Sequence, residues 1–113
     1  MTALAVLHDE EVVRTDLKYG REIGPVCFGN EYMRIKRGLK QYYCSYSEVD
    51  RCFRRVETAP MKMCCGRGEM NVESMILLMG GRELQVSMPD TRCAVAAMEE
   101  LAKRAPQIPI GKV

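Results

Sequence analysis

The segment 75–88 limits the fold more than any other part of this chain, because it has the pattern of two β-strands joined at Gly80-Gly81. Two-residue hairpin loops need positive φ angles, which glycine adopts without steric cost. Such a loop sets three cross-strand pairs: Met79 with Arg82, Leu77 with Leu84, and Met75 with Val86. Since alternate residues of a strand share a face, the sequence predicts a hairpin with one apolar, buried face.

The other face of this predicted hairpin carries polar residues together with Ile76 and Leu78. Glu83, Gln85 and Ser87 alternate there, as in a sheet with one face in water. Two apolar residues on such a face indicate either a second layer of the same domain or a binding partner. The hypothesis that follows is a protein-interaction surface at Ile76 and Leu78, with a self-paired dimer as its simplest form.

A helix is predicted to follow the hairpin, from Asp90 as N-cap to about Ala105, where Pro106 ends it. Apolar residues at helical spacing predict its buried stripe: Ala94, Ala97, Met98, Leu101 and Ala105. Two i,i+4 pairs of opposite charge predict its solvated side: Glu99 with Lys103, and Glu100 with Arg104. Residues 106–113 are expected to form an extended tail.

Upstream of this hairpin, short β-prone runs separated by turn residues predict an antiparallel meander. The runs are residues 25–28, 32–36, 40–46, 49–57 and 70–79. The run 49–57 also fits one face of a helix, and a strand is the preferred interpretation. Residues 58–69, with a proline and two glycines, are predicted to be the longest loop, and residues 1–20 fit either a strand or a short helix.

Composition is typical of an ordinary globular domain. A length of 113 residues, with 47% hydrophobic and 28% charged residues, predicts a single domain over residues 1–113. The net charge of +2 gives no indication of nucleic-acid binding. No apolar run approaches the ~20 residues that cross a bilayer, and the first residues lack a signal-peptide pattern. Six cysteines without an export signal predict reduced thiols and a cytoplasmic location.

Two short segments carry a resemblance to a known superfamily. They precede predicted strands and read Cys27-Phe28-Gly29-Asn30-Glu31-Tyr32 and Tyr46-Ser47-Glu48-Val49. Over residues 22–105, the chain resembles pleckstrin-homology-like domains, in particular their bacterial and GRAM-like members. The resemblance implies a mainly β, α+β fold: a split barrel of about seven antiparallel strands capped by one C-terminal helix. It also implies a binding role, although the final helix has no Trp and the full basic signature of phosphoinositide binders is absent.

The first candidate site is a basic cluster on and beside a predicted turn between two strands. Its members are Arg34, Lys36, Arg37 and Lys40. Converging N–H donors would stabilise a phosphate or an anionic lipid headgroup there, and the three arginines of residues 51–55 would extend the patch. The alternative is a solvated strand end whose charges discourage edge-to-edge pairing.

A second candidate is the run Met61-Lys62-Met63-Cys64-Cys65, which gathers soft ligands in the predicted loop. Thiolate and thioether groups select ions such as Cu(I), and basic neighbours would activate the two thiols. The spacing is not that of a Cys-x-x-Cys site, and the single histidine, His8, lies far away in sequence. Packing beneath a loop is therefore the alternative.

No residue pattern here predicts catalysis. The sequence shows no nucleophile with its base, no paired carboxylates and no phosphate-binding glycine loop. It therefore predicts a non-catalytic binding module without a cofactor. Protein–protein interaction or self-association is the first hypothesis, anionic-lipid or phosphate binding with peripheral membrane contact the second, and soft-metal or thiol redox sensing the third. Nucleic acid is not expected as a partner.

Overall fold

The computed structural model describes residues 1–63 and 66–111, with only the backbone course given for residues 58–63 and 66–71. This part of the chain contains two α-helices, one 3-10 turn at Tyr46–Glu48, and eight strands. The helices are α1 (Glu10–Lys18) and α2 (Thr91–Arg104). The strands are β1 (Thr2–Ala3), β2 (Arg21–Ile23), β3 (Val26–Phe28), β4 (Tyr32–Arg37), β5 (Lys40–Ser45), β6 (Arg51–Met63), β7 (Gly66–Met79) and β8 (Arg82–Met88).

The strands form two sheets. Sheet A has the order β1-β5-β4-β3-β2, and it is antiparallel except that β1 runs parallel to β5. Sheet B is the antiparallel meander β6-β7-β8. The mainly β, α+β class is confirmed. Within the described residues, however, no ladder joins the two sheets into a closed barrel, and the strands number eight.

The hairpin of β7 and β8 has the predicted register. Met79 lies opposite Arg82, Leu77 opposite Leu84, and Met75 opposite Val86. Gly80 and Gly81 have φ angles of 54° and 81°, which provide the positive φ that this turn requires. The predicted core face is confirmed, because Met75, Leu77 and Val86 are at most 1% exposed and Leu84 packs against the core from a partly buried position.

The core lies between the facing sides of the two sheets and α2. Sheet A contributes apolar side chains such as Phe28, Met33 and Ile35, and sheet B contributes those of its predicted buried face. Helix α2 packs against strands of both sheets. Its predicted stripe is confirmed: Ala94, Ala97, Leu101 and Ala105 are fully buried, and Met98 packs against them from a partly buried position.

The N-terminal end of α2 is attached to sheet B. Asp90 caps the helix by accepting a hydrogen bond from the Cys93 N–H at 2.7 Å, as predicted. The Thr91 hydroxyl donates to Oε1 of Glu73 on β7 at 2.7 Å. Arg54 on β6 donates to both oxygens of Glu73, at 2.8 and 3.1 Å. A buried carboxylate on sheet B therefore holds the start of the helix.

The C-terminal end of α2 is attached to sheet A. Glu100 accepts from Arg104 Nε at 2.6 Å and from Arg21 Nη1, on β2, at 3.0 Å. The prediction that Glu100 and Arg104 lie on the solvated side was wrong, because Glu100 is only 6% exposed. The pairing of Glu100 with Arg104 was correctly predicted from their i,i+4 spacing. The pair is largely buried, however, and attaches α2 to sheet A.

Gly29, between β3 and β4, is a meeting point of three elements. Its carbonyl accepts from the Tyr46 hydroxyl at 2.7 Å and from Arg104 Nη1 at 3.1 Å. Asp16 of α1 accepts from the N–H groups of Glu31 and Tyr32 just beyond it. A Cβ atom at Gly29 would lie 2.3 Å from Asp16 Oδ2, so only glycine fits beneath that carboxylate.

Residues 1–20 contain both elements that the sequence left open, a two-residue strand and a short helix. Asp9 caps α1 by accepting from the Glu11 N–H at 3.0 Å. The helix packs on β4, and its Val13 is fully buried. Because Arg34 and Tyr43 are cross-strand partners on the side away from the core, α1 covers what we call the outer face of sheet A.

The predicted loop at residues 58–69 was wrong. In its described residues, 58–63 and 66–69, strands β6 and β7 are paired, and their ladder runs from Arg51 with Leu78 to Met63 with Gly66; residues 64 and 65 lie outside the described residues. Pro60 is compatible with this because β6 is an edge strand of sheet B. The chain after α2 docks on the same strand: Cys52 N–H donates to the Pro109 carbonyl at 3.0 Å, and Gly111 N–H donates to the Cys52 carbonyl at 2.8 Å.

We expect Gly29→Ala to lower the free energy of unfolding by about 1–3 kcal/mol, because the added methyl group must displace the Asp16 carboxylate. Urea unfolding followed by circular dichroism measures this change. Asn30→Ala, at an exposed neighbouring position, is the matched control and should have little effect. Equal stability of Gly29→Ala and the parent chain would contradict the packing described here.

Acidification should loosen α2. Hydrogen bonds from Arg104 to Glu100, and from Arg54 and Thr91 to Glu73, hold the pKa of both carboxyl groups below the ordinary value of 4.5. Their stabilisation is therefore complete above pH 4.5 and is lost as the pH falls through the lowered pKa values.

The measurement is the urea midpoint as a function of pH, for the parent and for Glu100→Gln. The variant should be less stable near neutral pH and should lose less stability on acidification. Parallel pH profiles for the two proteins would show that Glu100 is not a source of the acid sensitivity.

Candidate functional site

The four residues of the predicted basic cluster do not converge. Arg37 and Lys40 are direct cross-strand partners at the β4–β5 turn, and both are exposed. Arg34 and Lys36 lie on the opposite face of β4, since side chains alternate along a strand. The structure therefore separates the cluster into two pairs, one on each face of sheet A.

Arg34 and Lys36 share one carboxylate partner, Glu22 of β2. Arg34 Nη2 donates to Glu22 Oε1 at 2.6 Å, and Lys36 Nζ lies 3.9 Å from the same oxygen. The hydrogen bond from Arg34 is the main cause that lowers the pKa of Glu22. The Arg34 side chain is only 15% exposed, and its Nε is buried without a hydrogen-bond partner among the described residues.

A cleft of about 430 Å³ opens between α1 and sheet A beside Arg34. We call it the cationic cleft, because its charged side chains are Arg14 and Lys18 of α1 together with Arg34. Its other walls include Leu17, Leu39 and Gln41. None of its described lining residues is an aspartate or a glutamate. Of the predicted cluster, only Arg34 reaches it.

The other side of α1 has the opposite charge. A second cleft, of about 530 Å³, contains four acidic residues: Asp9, Glu11, Asp16 and Glu31. Asp16 is already engaged with the backbone of Glu31 and Tyr32, as described above. A single helix of nine residues thus divides a positive from a negative depression on one face of sheet A.

The arginines that were expected to extend the basic patch lie in sheet B and have other partners. Arg51 donates to the Gly111 carbonyl at 2.9 Å, which fastens the C-terminal segment. Arg54 binds Glu73, and Arg55 pairs with Glu83 at 2.7 Å. They therefore stabilise sheet B and do not join Arg34 in one site.

The predicted interface residues face away from the core, but they are not exposed as expected. Ile76 is fully buried and Leu78 is half-buried. Ile76 lies between Phe53 of β6 and Gln85 of β8 in the sheet register, and Phe53 is itself only 6% exposed. The burial of Ile76 agrees with the alternative in which the domain itself covers this position, and a role of the pair in binding stays a prediction.

Sequence reasoning missed a polar cluster around His8. His8 Nε2 contacts Glu48 Oε1 in a short hydrogen bond, and His8 Nδ1 lies 3.5 Å from the Tyr32 hydroxyl. The Tyr43 hydroxyl accepts from the His8 N–H at 3.0 Å and donates to its carbonyl at 3.1 Å. Because His8 and Glu48 are 40 residues apart in the chain, no local pattern could have paired them.

This cluster fastens the segment between β1 and α1 to sheet A. The Glu48 side chain is 10% exposed, and its Oε2 has no hydrogen-bond partner among the described residues. Burial raises the pKa of the Tyr32 hydroxyl above its ordinary value, so this group is a neutral hydrogen-bonding partner of His8. The arrangement therefore serves to position the chain, with the ring of His8 edge-on to Tyr32 at 5.1 Å between centroids.

The four described cysteines have free thiols. Cys27, Cys44 and Cys52 are buried, and burial raises the pKa of Cys44 and of Cys52 to about 12. Cys64 and Cys65, the centre of the predicted soft-ligand site, lie outside the described residues. In the part of the chain that is described, no group of three or more His, Cys, Asp or Glu side chains could hold a metal ion.

Comparison with known proteins gives no relative for this chain: no family model, no curated protein and no solved structure matches it. Neither α1 nor α2, the helices of the described residues, has the length and apolar character needed to cross a membrane.

Removing the His8 side chain should release the segment that it fastens. In His8→Ala, we expect amide hydrogen exchange in residues 4–9 to become about fivefold faster, equivalent to about 1 kcal/mol of lost hydrogen bonding. Tyr32→Phe removes only the long 3.5 Å contact and is the matched control. If exchange in residues 4–9 is the same in His8→Ala and the parent, the cluster does not fasten this segment.

Proposed function

We propose that this chain is a non-catalytic binding module that self-associates through the outer part of its β6–β7 hairpin. We call residues 57–63 of β6 and 66–72 of β7 the arm. The observation that carries the proposal is the pairing pattern. Strand β8 reaches β7 only as far as Glu73, so the arm is a ribbon of two strands.

The arm leaves long stretches of backbone without strand partners. It contains seven cross-strand residue pairs, from Glu57 with Val72 to Met63 with Gly66. At about 3.4 Å per residue, it extends for about 24 Å. Isolated two-stranded ribbons are only marginally stable in water. This favours an assembly in which a further strand covers one edge.

Pro60 indicates which edge is available. Proline has no N–H to donate, and in a sheet its nitrogen faces the unpaired side of an edge strand. The outer edge of β6 is therefore interrupted in the arm, where Pro60 pairs with Glu69 of β7. Proline on an edge is also a common device against unwanted pairing. The edge of β7 over residues 66–72 is the better candidate.

A second copy of this chain is the occupant that we propose for the β7 edge. Two identical edges can pair antiparallel about a two-fold axis, so that each strand satisfies the other and the assembly closes as a dimer. An extended segment of another protein would pair with the same backbone groups. The experiment below distinguishes that alternative from self-association.

Within this proposal, the fold is a variant of the pleckstrin-homology-like split barrel. Two facing sheets with α2 packed against both support that relation, as do the turns that precede β4 and β6. The free thiols of Cys27, Cys44, Cys52 and Cys93 support an address in a reducing compartment such as the cytoplasm.

The test shortens the arm. Residues 58–71 are replaced by Asn-Gly, which joins the cross-strand partners Glu57 and Val72 by a two-residue turn. By sedimentation velocity at micromolar concentration under reducing conditions, we expect the parent to have the mass of two chains and the shortened variant that of one. Circular dichroism confirms that the shortened variant is folded.

The matched control keeps the arm and removes the two thiols at positions 64 and 65 of the sequence, as Cys64→Ser with Cys65→Ser. This variant should remain dimeric, because the proposed contact is made by the backbone. A parent that is monomeric contradicts self-association and leaves an extended segment of another protein as the partner of this edge. A shortened variant that still dimerises shows that the arm is not the interface.

A further inference from the structure

We propose that the cationic cleft binds a phosphate monoester group, with Arg34 as the principal ligand and with Arg14 and Lys18 as supporting cations. This site lies in sheet A and does not depend on the arm of sheet B. It also differs from the basic cluster expected from the sequence, because Lys36, Arg37 and Lys40 do not line it.

The charge of the cleft is the first argument. The whole chain is nearly balanced, with 17 basic and 15 acidic residues, yet every charged side chain lining this cleft is basic. Its volume of about 430 Å³ suits a small ligand. The walls of a concave site concentrate the field of such cations, and this raises the local concentration of anions.

The state of Arg34 is the second argument. Its guanidinium is largely buried, and of its donors Nη2 is engaged by Glu22 while the buried Nε–H has no acceptor among the described residues. A buried donor without an acceptor is destabilising. The planar Nε and Nη pair of arginine matches two oxygens of a phosphate. With Arg34 turned into the cleft, a phosphate would accept from this pair and would give Nε–H the acceptor that it lacks beside Glu22.

Binding requires Arg34 to turn from Glu22 towards the cleft. Glu22 can release it, because the Glu22 side chain is 58% exposed and is well hydrated when it is unpaired. Among the described residues, the ion-pair partner of Arg14 is the half-exposed Glu10, at 2.9 Å. The exposed Lys18 ammonium lies over the Tyr19 ring, 5.6 Å from its centroid. The cations thus retain free donors for an incoming anion.

The neutral walls indicate what the phosphate is attached to. Leu17 and Leu39 are apolar, and Gln41 offers one amide for hydrogen bonding. A phosphate monoester with a compact, largely apolar substituent fits this lining. Two sources share that chemistry, a soluble organic phosphate and the headgroup of phosphatidic acid in a bilayer.

The experiment uses nuclear magnetic resonance of the full chain, observing the Nε–H signals of the arginines. Inorganic phosphate and phenyl phosphate are the soluble probes, and chloride at equal ionic strength is the blank. We expect saturable shifts of the Arg34 signal, with phenyl phosphate binding more tightly than phosphate. Arg34→Gln should weaken binding about tenfold, and Glu22→Gln should tighten it by removing the competing carboxylate.

Arg37→Gln is the matched control, since it removes the same charge from the same strand but on the opposite face. It should change phosphate affinity less than twofold, as expected for screening alone. Should Arg34→Gln fail to fold, the double variant Arg14→Gln with Lys18→Gln, on the exposed side of α1, provides the same test. An equal loss in Arg37→Gln and Arg34→Gln, or shifts reproduced by chloride, would overturn the site.

A flotation assay assigns the source. The protein is mixed with phosphatidylcholine vesicles that either contain or lack phosphatidic acid. Stronger binding to the vesicles with phosphatidic acid, lost in Arg34→Gln, assigns the ligand as a lipid headgroup; equal binding to both assigns it as a soluble phosphate. Absence of binding to all of these probes overturns the proposal. The shortened-arm variant should bind phenyl phosphate as the parent does, so the outcome for the cleft is independent of the outcome for self-association.

Discussion

Two buried carboxylates hold α2 against both sheets, and the rest of the structure depends on them. In the described residues no backbone ladder connects sheet A to sheet B, so the helix and the apolar core must join the two. Glu73 binds the start of α2 to sheet B, and Glu100 binds its end to sheet A. Each carboxylate has arginine donors, which is the condition under which a buried charge is tolerated. Removing one partner would leave the other charge buried without its counterion and would weaken the attachment of the helix to one sheet.

The same anchor positions the surface on which the cationic cleft forms. Arg104, which binds Glu100, also donates to the Gly29 carbonyl, and the loop of Gly29 is held in turn by Asp16 of α1. The placement of α1 on sheet A is therefore coupled to the seating of α2 on the core. Since α1 separates the cationic cleft from the acidic one, this chain of contacts sets the distribution of charge on the outer face. The arm, in contrast, extends beyond the end of the β7–β8 pairing, and the backbone ladder described for it is the one between β6 and β7.

Local sequence patterns correctly predicted those structural elements that depend on a few adjacent residues. Gly80-Gly81 defined the β7–β8 turn, and Asp90 marked the start of α2, because positive φ and N-capping are properties of a few adjacent residues. The error at residues 58–69 has a physical origin. Proline and glycine were interpreted as breakers, but an edge strand tolerates Pro60 because its outer side needs no donor. Whether a strand lies at the edge of a sheet depends on its neighbours in the fold, and the sequence of the strand alone does not show it.

The sequence alone determined the mainly β class, the closing helix and the face of the hairpin that is buried, because hydrophobic periodicity and turn chemistry act over a few residues. Tertiary structure alone decided that Ile76 is covered, that Glu100 is buried with Arg21, and that His8 meets Glu48. It also decided that Arg34 joins Arg14 and Lys18 in a cleft while Arg37 and Lys40 face the other way. Each of these contacts depends on which distant segments of the chain pack together. Burial, ion pairing and the convergence of charged side chains are therefore set by the tertiary structure.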